Sequence, residues 1–240
     1  DLQIQTNWTY GNNSIEEMAR EAMKQGLEYI AITDHTRDLA MTGGSDEKKL
    51  LRQMAEIDKI NKSISGITLL KGAEVNIRKD GSLDMEDEVL AKLDVVGIAV
   101  HSNFKMSKKD MTERIIRAMN SSHADILFHP TGRLIHKRDA YEMDMGAVIE
   151  AAKKTGTVLE INASPERLDL KDAHIRQAVK AGVRLAIDSD AHHADHFQFL
   201  RYGEAQARRG WAEKDDIINA WPLEKMLSTL KDGKKIKPNA

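Results

Sequence analysis

The chain has 240 residues, 41% hydrophobic and 31% charged, which is enough to bury a large core and within the size range of one α/β barrel. A formal net charge of −2 with a pI near 6.5 excludes a global positive field, so any contact with nucleic acid must come from a local basic surface. The absence of cysteine excludes disulfides, thiolate metal sites and a cysteine nucleophile, and leaves His, Asp and Glu as metal ligands.

In chain order, the alternation Leu2-Gln3-Ile4-Gln5-Thr6 predicts a strand over 2–6. Because Asp1 opens the chain without a methionine, the expectation is a piece excised from a longer polypeptide whose missing part lies upstream. Ser14-Ile15-Glu16-Glu17 has the spacing of a capping box and opens a helix over 14–25 that Gly26 stops. Apolar runs rich in Ile, Val and Leu then predict strands at 28–33, 67–77, 94–100, 125–129, 157–162 and 183–188. Amphipathic stretches between and after them predict helices at 46–63, 107–120, 144–155, 171–182, 213–219 and 222–231, with Gly156 and Gly182 as stops. Lys231 to Ala240, with Lys234, Lys235 and Lys237, reads as a tail. Seven strands with interleaved helices predict a (β/α) barrel, one domain over 1–240. No apolar run of ~18 residues and no charged-then-apolar leader is present, so the expectation is a cytoplasmic protein without a membrane partner.

The chemistry is carried by the residues at the strand ends. The apolar runs terminate in Thr33-Asp34-His35, Glu74, His101, His129-Pro130 and Asp190-Ala191-His192, each a potential metal ligand. In a barrel the C-terminal strand ends converge on one pocket, so ligands distant in sequence meet in space. Imidazole and carboxylate without thiolate suit Zn²⁺, Mn²⁺ or Fe²⁺, and ions of this type generate hydroxide and neutralise phosphate charge in hydrolysis.

These segments resemble the PHP (polymerase and histidinol phosphatase) family, whose motifs include a strand ending in Thr-Asp-His, a bridging Glu, two later His and a closing Asp-x-His. Within it the chain is most similar to the C-terminal domain of family X DNA polymerases, through His129-Pro130-Thr131-Gly132-Arg133, Glu160-Ile161-Asn162-Ala163 with Arg167-Leu168-Asp169-Leu170, and Tyr202-Gly203 leading to Trp211. The resemblance implies a distorted, TIM-like (β/α)7 barrel with up to three divalent ions at its mouth and a 3′–5′ exonuclease activity on DNA 3′ ends or single strands. It also implies a polymerase module upstream.

The same resemblance assigns ligands to three ions. The first takes the opening pair with Glu74 and Asp190; the second takes Glu74, His101 and His129; the third takes an opening Asp with His35 and His192. Where the family opens with His-x-His and an Asp before Gly, this chain has Gln3, Gln5 and Tyr10. A carboxamide lacks the basicity of an imidazole and Tyr10 could ligate only as a phenolate, so the expectation is a complete second site and attenuated chemistry. Arg133, Lys137, Arg138 and Arg167 are expected to face a phosphate backbone, and His123, His136, His174, His193 and His196 to be structural or solvent-facing. Arg208 and Arg209 beside Trp211 are expected to pack at a helix start. Two other functions fit the same residues: a structural or DNA-binding module that has lost catalysis, and a small-substrate phosphatase of the histidinol phosphate type.

Overall fold

The computed structural model describes residues 1–39 and 43–236. Six parallel strands, β1 (Tyr29–Ile32), β2 (Thr68–Asn76), β3 (Val95–Ala99), β4 (Ile126–Leu127), β5 (Val158–Asn162) and β6 (Leu185–Asp188), pair in the order of the sequence. Helices α1 (Ile15–Lys24), α2 (Glu47–Ser63), α3 (Asp87–Leu90), α4 (Lys108–Met119), α5 (Met145–Thr155), α6 (Asp172–Ala181), α7 (Leu200–Arg209) and α8 (Leu223–Ile236) complete a distorted, TIM-like α/β barrel. Ser14 caps α1 through the full capping box, and Gly156 and Gly182 close α5 and α6 in the left-handed conformation at φ 71° and 77°.

The expected first strand is a single bridge, Ile4 to Ala191, and not a ladder. The segment still fills the gap between β1 and the turn after β6: Ala31 N and Thr33 N donate to Asp1 O and Ile4 O, and Gln5 N donates to Ala191 O. Its remaining amides go to side chains, Leu2 N to Asp188 Oδ1 and Ile4 N to Thr33 Oγ1, which is why the alternation of a strand is present without regular pairing.

Each strand presents one face to the barrel axis. Tyr29, Leu70, Val95, Ile126, Val158 and Ala186 form the apolar floor of that interior, joined by Trp221, Met226 and Leu230 from the chain end. Phe128 lies so close over β3 that a Cβ on Gly97 would stand 1.8 Å from its ring, so only glycine fits there. The opposite faces, Val96, Ile98 and Leu127 among them, pack against the helices.

Three other expectations are corrected. Residues 200–209, unassigned from the sequence, form α7, so Arg208 and Arg209 end a helix and Trp211 lies just beyond it, exposed beneath the Arg176 guanidinium. The helix expected at 213–219 is two short 3-10 turns, Lys214–Asp216 and Ile218–Ala220. The tail read from 231 is helical as far as Ile236, and 237–240 lie outside the described residues. Among the described residues no helix is long and apolar enough to cross a membrane.

Candidate metal centre

Above the apolar floor the inward parity continues into polar residues: Glu74 and Asn76 on β2, His101 beyond β3, Glu160 and Asn162 on β5, and Asp188 and Asp190 at the end of β6. Glu74 is fully buried at their centre. Its Oε1 lies 3.0 Å from His101 Nε2 and 2.8 Å from His129 Nε2; its Oε2 lies 3.3 Å from His35 Nδ1 and accepts from Gln5 Nε2 at 2.7 Å. The imidazoles form an arc around it, with ring centroids 6.3 Å apart for His192 and His35, 5.2 Å for His35 and His101, and 5.3 Å for His101 and His129.

Burial lowers the His35 imidazole to about 4 and lowers His129 too, aided there by the Arg167 charge. Burial would raise Glu74, yet the neighbouring His35, His101 and His129 hold it well below the carboxylate range. At neutral pH the pocket therefore sets the neutral imidazoles of His35 and His129 beside an ionised carboxylate.

That arrangement fits a divalent ion. Asn76 Nδ2 donates to Asp84 Oδ2 at 2.7 Å, which turns Asn76 Oδ1 toward His101 Nδ1 at 2.6 Å and so places the imidazole proton on Nδ1. The His101 Nε2 lone pair then faces Glu74 Oε1, and two facing acceptors need a cation or a proton between them. His35 Nδ1 faces the other oxygen of the same carboxylate at 3.3 Å and makes no hydrogen bond. Among the described residues His35, Glu74 and His101 offer ligand atoms all within 4.8 Å of one another. The expected grouping of Glu74 with His101 and His129 is thus extended: His35, assigned by resemblance to a third ion with His192, shares the same carboxylate.

Of the opening glutamines, Gln5 presents a donor to the centre and Gln3 an acceptor to its neighbour. Gln5 Nε2 bonds Thr33 O as well as Glu74, and Gln3 Oε1 is taken by Asn162 Nδ2 at 3.0 Å. Asp190, left-handed at φ 54°, is held by Arg167 Nε and Asn162 Nδ2, both at 3.2 Å, and His192 Nδ1 rests 2.8 Å from its carbonyl oxygen. Tyr10 is 63% exposed with its ring 5.9 Å from that of His192. His129 also has positive φ, 28°, and backbone strain of this kind in a non-glycine residue is retained where the surroundings enforce it, often at functional sites. Asp34 faces away from the pocket: it accepts from Thr6, Thr9 and Gln53 and pins the 6–9 loop.

Of the four basic residues expected at a phosphate, Arg167 alone bonds a residue of the centre. Arg133 commits Nε to Arg167 O and a terminal nitrogen to Leu168 O, Lys137 pairs with Glu166 at 2.8 Å on the surface, and Arg138 bonds Gly132 O and stacks over Phe104. Asn76, which orients His101, was not singled out from the sequence, and Asn162, which bonds Gln3 and Asp190, entered only within a motif and without a role. The period-2 rule was the available signal, since each sits two residues after an inward carboxylate, Glu74 or Glu160.

A parallel barrel whose strand ends gather imidazoles around one carboxylate defines a TIM-like metal-binding domain. The chain belongs to the PHP domain family, whose profile matches residues 1–164. It is 41% identical over 231 residues to the DNA polymerase/3′-5′ exonuclease PolX of Bacillus subtilis, a match covering 96% of this chain but 40% of that protein. It is 32% identical over 203 residues to a probable phosphatase of Caldanaerobacter subterraneus, covering 80% of this chain and 74% of the relative. In fold it is similar to the histidinol phosphate phosphatase of Lactococcus lactis, crystallised with zinc, L-histidinol and phosphate, with a TM-score of 0.62 at 13% identity over 89% and 94% of the two chains.

Proposed function

We propose that the chain is a metal-dependent phosphodiesterase domain of the 3′–5′ exonuclease type, partnered with a polymerase module and DNA, and attenuated by Gln3, Gln5 and Tyr10. The observation that carries this reading is the Glu74 carboxylate shared by His35, His101 and His129. A divalent ion (Zn²⁺, Mn²⁺ or Fe²⁺) held there would neutralise phosphate charge and acidify a water. Glu74 supplies charge, the imidazoles supply lone pairs, and Asn76 keeps His101 in the ligating tautomer. Arg167, beside Asp190, offers a guanidinium to a phosphate oxygen. Attenuation is expected because Gln5 donates to Glu74 where a ligand would present a lone pair.

The test is hydrolysis of 5′-labelled single-stranded DNA in Mn²⁺. We expect slow, EDTA-sensitive release of 3′ nucleotides, lost in Glu74→Gln and raised at least about tenfold by Gln3→His with Gln5→His and Tyr10→Asp. No hydrolysis by either the parent or the restored chain would reject the enzyme reading in favour of a structural or DNA-binding module.

A further inference from the structure

We propose a second anion-binding site beside the metal centre: a cationic cleft that takes a backbone phosphate of a nucleic acid strand adjacent to the phosphate at the metal. The cleft, about 310 Å³, lies between the 131–140 loop and the first turn of α6. Arg133, Arg138 and Lys171 line it with His136 and His174, against one lining carboxylate, Asp139.

The side chains lining the cleft carry an excess of positive charge, which Asp172, near Arg133 but paired with Arg209, offsets only in part. Nearby cations that serve the fold alone are paired: Lys137 has Glu166 at 2.8 Å and Arg209 has Asp172 at 2.6 Å. Lys171 makes no ion pair among the described residues, and Arg133 and Arg138 are bonded to neutral carbonyls, which fix their planes without cancelling their charge. His174 Nδ1 is buried there without a hydrogen bond, and burial, then Lys171 and Arg133, lower its pKa. Like charges held in a shared cleft repel, and an anion would relieve that repulsion and accept from the guanidinium donors. Because the arginines are already anchored, little further ordering is required on binding.

The cleft also adjoins the centre. Thr131, two residues beyond His129, forms part of its wall. Arg133 holds the carbonyls of Arg167 and Leu168, and Arg167 in turn holds Asp190. One loop therefore separates the two sites, so a strand crossing the centre would pass beside the cleft. A substrate with one phosphate can occupy only one of them. This inference rests on the reading of the centre as a phosphodiesterase, and refines it toward a polynucleotide.

The experiment is anisotropy of a fluorescent ten-nucleotide oligothymidylate with phosphorothioate linkages, titrated with the Mn²⁺-loaded chain across salt concentrations. Exposed Lys171 permits Lys171→Ala and Lys171→Glu without loss of fold, checked by circular dichroism. We expect several-fold weaker binding in Lys171→Ala, a larger loss in Lys171→Glu, and a slope of log K against log salt lower by about 0.7 in the alanine variant. Parental affinity and slope in both variants would overturn the proposal, as would full displacement of the strand by thymidine monophosphate at equal phosphate concentration, which would mark a mononucleotide site. Hydrolysis of bis(p-nitrophenyl) phosphate by the parent in Mn²⁺ separates the two readings. Hydrolysis together with unchanged Lys171 variants rejects the cleft alone, whereas no hydrolysis together with weakened variants supports the cleft and rejects the phosphodiesterase.

Discussion

Glu160 shows at the residue scale what this pocket costs the fold. It is fully buried, its Oε2 accepts from His129 N and Asn162 Nδ2, and its Oε1 has no hydrogen-bond partner. Burial, then the charges of Asp188 and Asp190, push its pKa well above the carboxylate range. The folded chain thus keeps this proton at pH values where the unfolded chain, with a carboxyl pKa of about 4.3, has released it. In that window the unfolded state binds fewer protons, so stability falls as pH rises. Replacing the carboxyl by the isosteric amide removes that loss. Glu160→Gln is expected to melt above the parent in chelator by a margin that grows from pH 5 to pH 8, and an offset independent of pH would refute the argument. That His35, Glu74 and His101 share one pocket was legible in the sequence because strand ends and alternation point them the same way, whereas His129, out of phase with inward Ile126 and Phe128, reaches it through a positive φ. The direction taken by Arg133 was not legible, because it depends on how the distant 164–170 loop folds back to meet it.

At the scale of elements, β3 and β4 are set by the contact between Gly97 and Phe128. With a methyl group 1.8 Å from the ring, Gly97→Ala must displace Phe128, and the displacement passes to His129 next to it. We expect a loss of about 1–3 kcal/mol in urea unfolding, together with weaker metal binding; an unchanged midpoint would show that the ring has room to move. Caps and periodicity located most helices to within a few residues, but α7 escaped because its signals are poor. Phe199 gives it no side-chain cap, and Gly203 lowers its propensity. Packing explains that glycine, since a Cβ there would stand 2.5 Å from Ile187 of β6. The strand expected over 125–129 shortens to Ile126–Leu127, with His129 turned to positive φ beyond it.

For the whole molecule, a pocket assembled only on folding would couple the binding of an ion there to stability. Mn²⁺ or Zn²⁺ at about 100 times its dissociation constant should add about 2.7 kcal/mol, roughly 5–10 °C in Tm for a chain of this length. The shift should vanish with EDTA and in Glu74→Gln, and no shift in the parent at saturating ion would remove the metal from the account. The barrel class was readable from alternating strand and helix signals; how it closes was not, because residues 1–6 bond partly to side chains. That closure has a kinetic consequence. Leu2 meets Asp188 across 186 positions of sequence, a loop whose closure entropy is roughly 5 kcal/mol by the logarithmic rule. We therefore expect the seam to zip last and to part first. Gln5, which reaches Glu74 only through that seam, would make completion of the metal pocket one of the last events of folding.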